Sequence, residues 1–420
     1  MTEPTSSAGH AELGPEEAEA WNILAPALHA ADAAPELLLG IRRALEVSPG
    51  LELPLEICEK ILALLPLEDR TRLAATDTPL RGILERLVPQ ALNTSAHTAP
   101  DFIHTIYTQA ALDTALTGPK LLFTPATGSD LTISRTCGGT QLHGPGTLTA
   151  ISGGNITACG DAHITTMTGG RVRASDQSTV AEVTGGNITV CGQATVTTVT
   201  GGTVHVYDQA TVTTVTDGTV HAYDQSTIAT MTSGWFYARE QATITEVTGG
   251  YVVANGQARI TDMTAGEVHA DDQAAVTTVT GGTVYAYLQA TITTVTGGTV
   301  RADDQSTITT MAGGTVTAKG QAVITTMAGG HITASEHAVV ADVSGGDVTV
   351  TDDATVTVTG GNPHITAHGN AHVHVLDGAE GVHVDAHDNA MITAESGTIT
   401  IHGPGVTLTD NGNTTINRQL

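Results

Sequence analysis

The side chains able to do chemistry in this chain recur in columns. Asp208, Asp224, Glu240, Asp272 and Asp304 share one place in a 16-residue pattern. Carboxylates are hard oxygen ligands, so a column of them is a candidate for Ca²⁺. Their surroundings match neither the Gly-Gly-x-Gly-x-Asp nonapeptide nor a calcium loop of the EF-hand type. Solvated turn positions are therefore the expectation, and no metal is assigned. His368, His387 and His402 form another column, with the imidazole chemistry of a transition-metal ladder; plain surface histidines are the expectation there too. The third group is aromatic. Tyr207, Tyr223, Trp235, Tyr237, Tyr251, Tyr285 and Tyr287 gather with His205, His221, His269 and Arg239, in a chain with only 3% aromatic residues. Tyr, Trp and Arg dominate the hot spots of protein interfaces, so these seven aromatics are the expected target-binding residues. Stacking within a sheet would select them as well. No nucleophile–base pair and no phosphate-binding loop can be read, so neither an enzyme nor a cofactor is expected.

The element that must carry these columns is a strict repeat. One unit reads Gly-Gly-Thr-Val-His-Val-Tyr-Asp-Gln-Ala-Thr-Val-Thr-Thr-Val-Thr over residues 201–216. Its second glycine returns every 16 residues from Gly154 to Gly346, which makes thirteen units without an insertion. Position 12 is always Ile or Val; position 4 is too, except at Phe236. The alternation Val204-His205-Val206 has the period of a half-buried strand. Gly-Gly and Asp-Gln fall between the apolar runs, where turns need permissive residues. One unit thus reads as one coil of a β-solenoid with two short strands. A lone coil buries too little to be stable, so the coils must stack.

The second strand of each unit is monotonous and rich in threonine. Pairs such as Thr195/Thr197, Thr211/Thr213, Thr243/Thr245, Thr291/Thr293, Thr307/Thr309 and Thr355/Thr357 resemble the flat arrays of ice-binding solenoids. Ala181, Ala229, Arg259 and Ala341 interrupt the array, and Glu182, Glu246 and Asp262 lie beside it. The first strand varies from unit to unit, as a recognition surface would. Polysaccharide-degrading β-helices have longer coils, with loops that build a cleft; a loop-free coil has no place for one.

The chain has 420 residues and a formal net charge of −27. That acidity argues against binding nucleic acid or an anionic membrane. No run of 18 apolar residues is present, so no membrane span is expected. The N-terminus lacks the basic and apolar regions of a signal peptide. Cys58, Cys137, Cys159 and Cys191 look unpaired. Cys159 and Cys191 lie two coils apart, beyond bridging distance, which fits a cytoplasmic or nuclear protein.

Before the repeat, the composition turns helical. Residues 1–11 read as disordered. Residues 15–47 read as helix, broken at Pro35. Over residues 51–92, Leu53-Pro54 opens a helix, Ile57, Ile61 and Leu65 form its apolar face, and Pro66 ends it. A second helix carries Leu73. This segment resembles the F-box family. The family's Leu-Pro, Glu-Ile, Ile-Leu, Leu-Pro, Asp and Arg-Leu places hold Leu53-Pro54, Glu56-Ile57, Ile61-Leu62, Leu65-Pro66, Asp69 and Arg72-Leu73. Leu80-Arg81 stands where F-boxes carry a Trp beside a basic residue. The resemblance implies docking on the Skp-type adaptor of cullin-RING ubiquitin ligases through Leu53, Pro54, Ile57, Ile61, Leu62, Leu65, Pro66 and Leu73. It also implies that the repeat domain holds an unknown protein target.

The expected fold is therefore α+β multidomain: a small all-α N-terminal domain followed by a β-solenoid (β-helix) of 16-residue coils. The expected boundaries are a disordered 1–11, a helical F-box-like domain at 12–92, a connector at 93–130 with a helix at 101–115, the solenoid at 131–410, and a polar, frayed tail at 411–420. The expected function is a non-catalytic adaptor that presents a target to a ligase, or else a structural or self-associating solenoid with a helical cap.

Overall fold

The computed structural model describes residues 103–118, 120–136, 139–379 and 381–419. The helical domain expected over 12–92, with Leu53, Pro54, Ile57, Ile61, Leu62, Leu65, Pro66 and Leu73, lies outside the described residues. Coils of about 16 residues occupy His104 to Gln419, about 19 in all. They fall into two compact units, one through Thr149 and one from Ala150.

Within the second unit each regular coil holds a four-residue strand and a five-residue strand, as in Thr203–Val206 and Thr211–Val215. Every strand pairs in parallel with its counterpart one coil away. Thr203, Val204, His205 and Val206 face Thr219, Val220, His221 and Ala222. The ladder is in register because the repeat has no insertion. A slip of one residue would turn each buried Val or Ile to solvent.

The core is a column of small and branched side chains. In the coil at 201–216, Val204, Val206, Ala210, Val212 and Val215 are all fully buried. Phe236 replaces the usual Val or Ile and is also fully buried. Gly202 shows why the first turn demands glycine. Its φ is +81°, and a Cβ there would sit 2.7 Å from the Gly186 carbonyl oxygen and 2.9 Å from the Gly185 carbonyl carbon. Serine replaces alanine at position 10 in three coils: Ser178, Ser226 and Ser306 are fully buried, and their hydroxyls find no partner among the described residues.

Three expectations are corrected. Solenoid structure begins at His104, not at 131. The helix expected over 101–115 is the shorter Gln109–Ala115, because His104–Ile106 is a strand paired with Lys120–Pro125. Thr108 caps that helix by accepting from the Ala111 amide. The helix is thus an insert between two strands of the first coils. At the other end the segment expected to fray is a strand, Thr407–Gln419. It pairs with Met391–His402. Its polar composition hid a pairing that is carried by the backbone.

Candidate functional site

The aromatic residues stand on the outward side of the first strand or, for Tyr207, Tyr223 and Tyr287, directly after it, and neighbouring coils bring their rings into contact. His205, His221 and Tyr237 stack at 4.9 and 4.8 Å. Tyr207 stacks on Tyr223 at 4.7 Å, and the Arg239 guanidinium lies over the Tyr223 ring at 5.7 Å, within cation–π range. A further run goes from Trp235 to Tyr251 at 4.7 Å, to His269 at 5.1 Å and on to Tyr285 at 4.6 Å. Tyr287 lies 6.4 Å from both His269 and Tyr285. All seven aromatics singled out from the sequence therefore lie in these ladders. Six are half-buried by their neighbours. Trp235 differs: it is 53% exposed and its ring is tilted by 46° to Tyr251.

The polar groups of this face are arranged around the rings. His269 Nε2 lies 2.7 Å from Glu267 Oε1, and Arg301 Nε donates to Asp303 Oδ2 at 2.7 Å. Burial pushes the His221 imidazole below its ordinary pKa, helped by neighbouring His205 and Arg239. Its Nδ1 is buried without a partner among the described residues. Burial, then the Glu267 carboxylate, pushes the Tyr251 hydroxyl up. These groups make an apolar, hydrogen-bonding surface with no pairing of nucleophile and base.

The acidic column has a structural task that the sequence reading missed. Asp208, Asp224, Glu240, Asp272 and Asp304 all have φ between 55° and 58°, a conformation that few residues other than glycine adopt. Each carboxylate accepts from the backbone amide one coil earlier. Asp208 takes the Gly192 amide at 3.0 Å, Asp224 the Asp208 amide at 3.1 Å, and Glu240 the Asp224 amide at 3.0 Å. Asp272 and Asp304 do the same with Gly256 and Leu288 at 3.3 and 3.2 Å. The column is thus a carboxylate ladder that caps left-handed turns. The signal was present in the sequence: in every regular unit but the one with Leu288 the position holds either an acid or a glycine, the glycines being Gly160, Gly192, Gly256 and Gly320. At Leu288 the ladder is broken by a 48% exposed leucine with φ 55°.

His368, His387 and His402 do stack, at 4.6 and 4.2 Å. Cys159 and Cys191 form no disulfide among the described residues, and burial raises the pKa of each. Comparison with protein-family models, with curated proteins and with solved structures found no match. The F-box resemblance of residues 53–73 gains no support from these comparisons, and the reading of the solenoid rests on its own residues.

Proposed function

We propose that this chain is a non-catalytic interaction protein, and that the outward face of the first strands over residues 201–296 holds a protein partner. One observation supports the reading above the others. Trp235 exposes half of its indole at the end of a run of stacked aromatic and histidine rings, on a regular β-scaffold that fixes them in place. A rigid, exposed aromatic anchor flanked by Tyr and His is the make-up of an interface hot spot. The finer form of the proposal, an adaptor that passes the bound protein to a cullin-RING ligase, rests on the sequence resemblance of residues 53–73 alone. Loss of Skp-adaptor binding in a Leu53→Ala, Pro54→Ala chain would support it; failure of the wild-type chain to bind any Skp-type adaptor at micromolar concentration would remove it.

A structural reading has its own observation, the close contact of the rings with one another, which stabilises the sheet whatever else binds. The two readings part in one experiment. Cross-linking mass spectrometry is run on wild type and on a Trp235→Ala, Tyr237→Ala, Tyr251→Ala variant. Loss of a shared set of partners with a retained fold supports the interaction face. An identical partner list from both proteins assigns the aromatics to the solenoid's own stability.

A further inference from the structure

Beyond Val343 the coils lose their strict period. The step between register partners is 17 residues from Asp347 to His364 and 19 from His364 to His383. This irregular stretch gathers imidazoles around one carboxylate. His364 and His383 are register partners on adjacent coils. Asp385 lies two residues beyond His383, on the same outward face of its strand. His402 comes from the next coil, opposite His387. His364 Nε2 lies 3.0 Å from Asp385 Oδ2; His383 Nε2 lies 3.2 Å and His402 Nε2 3.6 Å from Asp385 Oδ1. The ligand atoms of His364, His383 and Asp385 all lie within 4.8 Å of one another.

These separations are close to those of a coordination polyhedron. Zinc bonds of about 2.0–2.1 Å to nitrogen and oxygen set neighbouring tetrahedral ligands about 3.3 Å apart. The His–Asp distances straddle that value and no pair among the His364, His383 and Asp385 ligand atoms exceeds 4.8 Å, so side-chain rotation alone brings the ligands onto one ion. The surroundings supply what a site needs besides ligands. The paired strands fix the Cα positions of His364, His383 and Asp385. His383 and His364 stack with centroids 5.4 Å apart, and His387 stacks on His402. The side chains of His364 and His383 remain 45% and 44% exposed, which leaves an entry path. By contrast His331 meets Asp347 at 3.0 Å as a simple pair.

We propose that His364, His383 and Asp385 form a binding site for a divalent transition-metal ion of the zinc class, with His402 beside Asp385 as a further nitrogen ligand. Two or three imidazoles and one carboxylate favour zinc, cobalt or nickel over calcium and magnesium, which take oxygen ligands. Binding releases to solvent any proton held between imidazole and carboxylate, so the ion takes over from polar contacts that already hold the geometry. The site ties together three successive coils in the stretch where the repeat is least regular.

The test uses the full chain without a polyhistidine tag, stripped with a chelator. Isothermal titration with zinc chloride is expected to give one site per chain, and cobalt(II) chloride a visible absorption band of low-coordinate cobalt. Calcium chloride should give neither heat nor protection against thermal unfolding. His364→Ala with His383→Ala should weaken zinc binding by more than the about 10–100-fold typical of residues that only orient a ligand. Asp385→Asn, which keeps the side-chain shape, gives an independent check if the double variant unfolds. His331→Ala should leave the affinity unchanged. Zinc binding that is absent in wild type, or equal in wild type, the double variant and Asp385→Asn, would overturn the proposal.

Discussion

Two glycines with positive φ should differ sharply in their response to substitution, and the difference follows from coil stacking. Gly202 and Gly256 have φ +81° and +69°. At Gly202 an added Cβ meets three backbone atoms of the preceding coil at 2.7, 2.9 and 3.0 Å. None of them is the end of a flexible side chain. Gly202→Ala therefore carries the left-handed cost of about 1–2 kcal/mol and a clash relieved only by separating coils. Separation strains the bonds from Thr203 N to Gly186 O and from Thr219 N to Gly202 O, both 2.9 Å. The total should exceed about 3 kcal/mol. At Gly256 the new Cβ would lie 3.2 Å from the Glu240 amide nitrogen, where other coils carry an acid. Gly256→Asp should place its carboxylate on that amide, and stability should change by less than about 1 kcal/mol in either direction. Because repeat arrays unfold in parts, the assay is hydrogen exchange by mass spectrometry with circular dichroism. Gly202→Ala should lose protection over about 185–219 first, and Gly256→Asp should lose none. Wild-type protection in Gly202→Ala, or unfolding of Gly256→Asp, would refute the stacking geometry.

Other outcomes follow from single positions. Val276 is fully buried and Thr277 exposed; Val276→Asp should cost more than about 4 kcal/mol through an unpaired buried charge, and Thr277→Lys should be nearly silent in the same melt. Ser226→Ala, which removes a buried hydroxyl without a partner, should stabilise by about 1 kcal/mol in denaturant titration. The His221 pKa is depressed from 6.5 by burial, so the unfolded chain binds more protons below that value. Stability should be complete above about pH 6.5 and fall as pH drops through the folded value, and thermal melts of a His221→Phe chain should depend less on pH in that window.

The period, the inward Val and Ile, and the need for glycine at Gly202 were legible in the sequence because a solenoid repeats its solution in every coil. The aromatic cluster was legible as a set, but its stacking partners were not. Pairs such as Tyr251 and His269 depend on which outward positions of adjacent coils approach each other. Three features escaped. The acid column looked like solvated turns because its hydrogen bonds run to the backbone one coil away. The coils at 104–125 carry no Gly-Gly signature and enclose a helix, so they read as a connector. The group at His364, His383 and Asp385 is spread over irregular steps, and only strand register brings those residues together.

The interaction face is tested most directly at Trp235. The chain has two tryptophans, so Trp21→Phe leaves Trp235 as the sole reporter. Its fluorescence is titrated with iodide, first for the chain alone and then with a partner captured on wild-type chain. The free chain should be readily quenched, as a half-exposed indole requires. With the partner bound, quenching should fall several-fold and the emission should shift to shorter wavelength. Unchanged quenching and emission in a complex shown to be saturated would contradict the assignment of that face.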